Sequence, residues 1–290
     1  MSHYAVLAII RKDVRDRRLR TLLSPYYEGK KVKPYVFKTK AQLIAEEIQE
    51  IEKHRRSHEA ALKLSEEEYS AIVSKEDLYR NYEYAKEKLP DGYDSIDLTD
   101  EDAVFKQFKK ERPGRRLNKN GDLIETYNPK SKWDWYAVGG RWPGQLRLTN
   151  GAPVDSALSR FVDWDAMFAP KPMIDVKNAE FWDEYVLGKI PEGVEDEDEY
   201  LRTKFGFIFY RREYYLEFYG TREEYVRRMG IWHTFAVVDE KGWHEPGEMG
   251  WFGCSGETPE SKKDWEDNFR ARFIDTLDPD DKVTIVDCHI

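Results

Sequence analysis

The chain has 290 residues, 40% of them hydrophobic, 36% charged and 14% aromatic, with a formal net charge of -9. That length supports a sizeable core in one large or two modest domains, and the negative balance argues against general nucleic-acid binding. With only Cys254 and Cys288, and no apolar run of membrane-spanning length, a disulfide framework, a four-cysteine zinc site and a membrane span are excluded. The opening MSHYAVLAII lacks the flanks of a secretory signal, which points to a soluble cytoplasmic protein. Charge is uneven. Residues 1–40 hold eleven Lys or Arg against Asp13, Asp16 and Glu28, so the remainder carries -17. The basic segment either lines an anion site or pairs with the acidic body.

His3 to Ile10 is short and almost continuously apolar, the pattern of a buried central strand. A basic linker or irregular helix follows from Arg11 to Arg20. Pro25 and Pro34 reduce the next two short runs to loop or edge strand. From Lys40 the period changes, with Leu43, Ile44, Ile48 and Ile51 at helical spacing. Ser65 with Glu68 forms a capping box that opens a second helix, expected to run to about Lys88. These two predict an antiparallel helical hairpin, inserted at about residues 40–110 in a single α+β domain that spans 1–290.

Asn120-Gly121 signals a hairpin between Arg115–Lys119 and Asp122–Tyr127. The stretch after it, residues 128–144, reads NPKSKWDWYAVGGRWPG. Trp133 to Val138 has strand composition. Gly139-Gly140 frees the backbone, and Arg141-Trp142 sets a planar cation beside an indole. Further on, residues 156–168 and 179–187 look helical, Glu195–Glu199 reads as an acidic loop, and residues 205–210 and 214–218 read as strands. Thr221 caps a helix ending near Gly230. Residues 232–239 and 243–251 form a hairpin around Glu240-Lys241-Gly242, and a second glycine-and-aromatic loop contains Trp251. Thr258-Pro259 opens a last helix with Trp265, Phe269 and Phe273 at i, i+4, i+8. Val283 to His289 is a terminal strand, expected to share a sheet with His3–Ile10.

Four pieces carry a resemblance: the Met1-Ser2-His3-Tyr4 start, residues 132–136 with Gly139-Gly140-Arg141-Trp142, residues 247–253, and Asp287-Cys288-His289-Ile290. From end to end the chain resembles a family of uncharacterised proteins of bacteriophages and of bacteria carrying prophages. The resemblance implies a phage-related origin and supplies no activity. It favours an accessory role in the host cytoplasm, such as sequestering a nucleotide signal of host defence.

Indole faces, a guanidinium and two glycine amides match the needs of a phosphate-bearing ligand that contains a base. The expected ligand-binding residues are Trp133, Trp135, Tyr136, Gly139, Gly140, Arg141, Trp142 and Trp251. Against this stands a tight corner with core indoles and Arg141 as a structural clamp. Were the terminal strands antiparallel, His3, Asp287 and His289 would lie close enough for a zinc site. His54 and His58 stand four apart in a cationic stretch and read as surface histidines. A metal-dependent hydrolase using His3, Asp287 and His289, an acid–base pair on the Glu245/Glu248 hairpin, and an inhibitor of a host protein are the alternatives. No cofactor is expected, and the residues leave enzyme or binder open.

Overall fold

The computed structural model describes residues 2–12, 19–208, 210–250 and 254–290. Among these, the strands in chain order are β1 (His3–Ile10), β2 (Tyr35–Lys38), β3 (Leu123–Glu125), β4 (Trp135–Val138) and β5 (Leu146–Arg147), then β6 (Pro153–Val154), β7 (Ser156–Leu158), β8 (Ala236–Asp239), β9 (Gly242–His244) and β10 (Lys282–His289). The helices are α1 (Leu19–Leu23), α2 (Lys40–Lys63), α3 (Glu66–Ile72), α4 (Tyr82–Lys86), α5 (Glu101–Glu111) and α6 (Trp164–Phe168). They continue with α7 (Pro172–Phe181), α8 (Glu197–Phe205), α9 (Arg212–Tyr219), α10 (Arg222–Gly230) and α11 (Pro259–Phe269). The fold is α+β, with helices inserted among the strands of a multi-stranded sheet. None of the helices is long and apolar enough to cross a membrane. Two compact units form, one from residues 1–30 and 128–290, the other from residues 31–127.

The first unit is built on a sheet ordered β4-β10-β1-β8-β9, with β7 also paired to β10. The two terminal strands run antiparallel in full register, from His3 opposite His289 to Ile10 opposite Lys282. β8 joins β1 in parallel and turns back into β9. A strand covered on both faces reads as a continuous apolar run, because every side chain meets a packed layer. That is the state of β1. Leu7 and Ile9 face a layer made by Trp265 and Phe269 of α11 and by Phe273 in the helical turn that continues it. Tyr4, Val6 and Ala8 face the opposite layer, with Leu22, Leu23 and Trp133.

Between β7 and β8 the chain is helical, and several sequence expectations give way there. Residues 156–158 form β7 rather than the start of a helix, because Ser156 Oγ meets Thr284 Oγ1 at 2.7 Å and the strand pairs with β10. The acidic run becomes the cap and first turn of α8, with Asp196 accepting from the Glu199 amide. There the carboxylates complement the helix dipole. Residues 205–210 and 214–218 contain no strand among those described; Phe205 ends α8, and residues 214–218 lie within α9. Aromatic residues four apart, such as Tyr215 and Tyr219, line one helix face against Trp182, Val186 and Tyr225. The aromatic content that mimicked a strand is a helical packing stripe.

The second unit has α2 as its spine. Leu43 and Ile44 pack with Val104, Phe105 and Phe108 of α5. The Ser65–Glu68 capping box forms as its spacing predicts. The helix it opens ends at Ile72 rather than near Lys88. A turn with Asp77 at φ +47° redirects the chain. Tyr79 then points inward, its amide donating to Ser57 Oγ at 3.0 Å and its hydroxyl to Glu50. This return folds α3 and α4 onto α2, so His54 and His58 are not surface residues. His54 is surrounded by the rings of Tyr79, Tyr84 and Tyr93, and His58 Nδ1 lies 3.0 Å from the Ala85 carbonyl.

Candidate functional site

Alternation along β10 puts Val283, Ile285, Asp287 and His289 on one face of the sheet. The first two belong to the apolar layer. The last two make the same face polar at its far end, where the register brings His3 opposite His289 and Trp135 beside it. His3 and His289 stand with ring centroids 4.8 Å apart and planes at 70°. Trp135 stacks on His289 at 5.3 Å and meets His3 edge-on at 5.3 Å.

Each imidazole has its own carboxylate. His3 Nδ1 lies 2.9 Å from Asp287 Oδ1, and His289 Nδ1 lies 2.6 Å from Asp134 Oδ1. Asp287 is nearly fully buried, with 2% of its side chain exposed, and its second oxygen accepts from the Arg141 amide at 3.0 Å. Neither Nε2 has a hydrogen-bond partner among the described residues, and neither is among the buried polar atoms left without one. Both ring edges are therefore left to solvent or a ligand. A carboxylate at Nδ1 fixes ring orientation and supports the cation when the ring takes a proton.

The Gly139–Gly144 loop closes over this corner. Gly139 and Gly140 sit at φ +69° and +51°, and a Cβ on either would collide with the carboxylate of Asp155 or of Asp287 respectively. Their amides are not offered to a ligand. Gly139 donates to the Ile285 carbonyl at 3.0 Å and Gly140 to Val138 at 2.8 Å. The Trp142 amide goes to Gly139, and the Gly144 amide to Asp155 Oδ1 at 2.6 Å. The loop thus folds on its own backbone and two carboxylates, and the two glycines serve its shape.

The remaining expected ligand residues divide between the two faces of the sheet, Trp135 and Tyr136 by alternation along β4 and Trp133 because it precedes that strand. Trp133 is buried in the core on the opposite face, its indole N–H donating to the Leu23 carbonyl at 3.2 Å, and Tyr136 packs against that layer. Trp142 leans on the core beneath the loop. Trp251 lies outside the described residues. Two remain open: Trp135, with 45% of its surface exposed, and Arg141, an exposed residue. The Arg141 guanidinium has no carboxylate or carbonyl partner among the described residues, so Arg141 is held by its backbone rather than acting as a clamp.

Other candidates are spent on structure. Glu245 and Glu248 both pair with Lys132, at 2.7 and 3.2 Å, and His244 pairs with Asp239. Among the described residues no three His, Cys, Asp or Glu side chains are grouped to hold a metal ion. A cavity of about 760 Å³ lies at the other end of β1 on the opposite face, lined by Ile10, Leu19, Val138, Lys282 and Thr284. Sequence reasoning missed Asp134. Its signal was adjacency to Trp135, meaningful only once His289 is known to pair across from that strand. Compared with protein-family models, curated protein sequences and solved structures, the chain matches none.

Proposed function

We propose that this protein binds a nucleotide, or another small molecule joining a phosphate to an aromatic ring, at the end of the sheet that carries Trp135 and Arg141. One observation supports this above the others: Arg141 is exposed, its guanidinium has no ion-pair partner among the described residues, and its backbone lies three contacts away from a half-exposed indole. The contacts run from the Arg141 amide through Asp287 and His3 to Trp135. An aromatic ring stacks a base, and a planar fork takes phosphate oxygens in pairs. The net charge of -9 favours a small ligand over a long polyanion. On this reading the protein acts by holding its ligand. Sequestration of a host defence signal by a phage-related accessory protein is the role we put forward.

Native mass spectrometry against a panel of mononucleotides and ribodinucleotides tests the reading. Wild type should retain at least one of them, and Trp135→Ala should lose most of that binding, since stacking on an aromatic is worth about 1–3 kcal/mol per base. A panel with no ligand, or undiminished binding by Trp135→Ala, would overturn it.

A further inference from the structure

We infer that His3 and His289 form a general acid–base pair that cleaves a small ribonucleotide phosphodiester without a metal ion. The inference rests on the ligand reading above and goes further in naming the substrate class and the reaction. Two imidazoles 4.8 Å apart, each oriented at Nδ1 by its own carboxylate and each with Nε2 uncommitted, are the parts such chemistry needs. A structural pair of histidines needs only one satisfied edge per ring. Here the arrangement spends Asp287, a buried carboxylate, and Asp134 on holding both rings. The Arg141 amide steadies Asp287, and the guanidinium of the same residue, with no partner among the described residues, can meet phosphate charge.

The substrate class follows from the nucleophile. The two imidazoles supply an acid and a base but no nucleophile, so an adjacent hydroxyl of the substrate serves as one, and an intramolecular nucleophile carries an effective molarity of roughly 10⁵ M or more. That selects a ribonucleotide with a free 2′-hydroxyl. One neutral imidazole takes the 2′-hydroxyl proton as O2′ forms its bond to phosphorus. The bond from phosphorus to O5′ breaks, its electron pair stays on O5′, and that oxygen takes a proton from the other, protonated imidazole. The products are a 2′,3′-cyclic phosphate and a free 5′-hydroxyl. The two rings have exchanged protonation states and reset through solvent. Arg141 faces the charge that grows on the non-bridging oxygens, and Trp135 holds a base.

The test uses the full chain with EDTA present. The probes are the ribodinucleotides ApA, CpC, GpG and UpU and the deoxy counterpart of each one bound. Wild type should convert at least one ribodinucleotide to a 2′,3′-cyclic phosphate and bind its deoxy counterpart without cutting it. His3→Asn and His289→Asn keep an amide near the Nδ1 position, so the bond to each aspartate survives while Nε2 is removed. Each should lower the rate about 100- to 10,000-fold with binding retained. If either variant fails to melt as a folded protein, the Gln variant at that position replaces it. Binding without cleavage, cleavage of the deoxy probe, or a rate indifferent to both substitutions would overturn acid–base catalysis and leave the binding reading standing. A wild type that neither binds nor cleaves any dinucleotide would overturn acid–base catalysis too, and a wild type that also retains no mononucleotide of the panel would remove both readings.

Discussion

Gly140 shows how a residue chosen for its shape can look, in sequence, like one chosen for a ligand. Its φ of +51° and its approach to Asp287 are both closed to a side chain. Gly140→Ala should therefore cost folding free energy, at about 1–3 kcal/mol for the backbone strain alone and more for displacing Asp287. Chemical denaturation of the two proteins side by side measures it, and an unchanged midpoint would show that the loop tolerates another path. Arg141, one position on, is the opposite case. Its amide holds Asp287 while its guanidinium has no partner among the described residues, so two adjacent residues of one motif separate into scaffold and candidate contact. Sequence pattern could name the motif but not divide it, because the division depends on which atoms Asp155 and Asp287 occupy.

Strand periodicity carried the terminal elements. β1 is an almost continuous apolar run, and burial on both faces explains why no alternation appears in it, while β10 is legible from Val283, Ile285 and Val286. The antiparallel register that joins His3 to His289 was not readable, since no short turn connects the two strands. Aromatic runs misled in the other direction, and α9 is the instance: its tyrosines pack as a helical stripe against α7 and α10. Beneath that region Arg228 of α10 is buried, paired with Glu266 of α11 at 2.5 Å and lying against the Phe218 and Tyr219 rings. Glu266→Ala should destabilise the protein by about 3–5 kcal/mol, because it strands a buried guanidinium. A loss under about 1 kcal/mol in urea denaturation would mean that the pair is solvated. In the second unit, burial chiefly holds the His54 imidazole below its ordinary pKa, against the opposing pull of Glu50 and Glu111. A depressed folded pKa makes protonation oppose folding. The stability is whole above the unfolded value of about 6.5 and falls as pH drops through and below it. His54→Gln should flatten the stability profile between about pH 7 and pH 5, and an unchanged slope would assign that acid sensitivity elsewhere.

The whole chain is a sheet-based unit interrupted in sequence by residues 31–127. The first unit ties its own ends together at the interruption. The Glu28 amide donates to the Trp133 carbonyl at 2.8 Å, and the Asn128 side chain donates to the Pro25 and Tyr27 carbonyls at 2.9 Å each. Replacing residues 31–127 with a short Gly-Ser linker should leave a folded remainder that melts cooperatively, followed by circular dichroism. Non-cooperative melting would show that the sheet needs the helical unit to fold. The sequence placed helices in that interval but could not set its ends, because Asn128 is legible as a turn and not as a tie to Pro25. In the first unit, the proposed phosphate-bearing ligand would meet the exposed Arg141 side chain. The most direct test of that contact is the affinity of Arg141→Ala and wild type for a nucleotide retained by wild type, with the melting temperature of each recorded. Loss of one charge-assisted contact, about 1.5–3 kcal/mol, predicts roughly ten- to a hundredfold weaker binding at an unchanged melting temperature. Equal affinity, or a large fall in melting temperature, would contradict it.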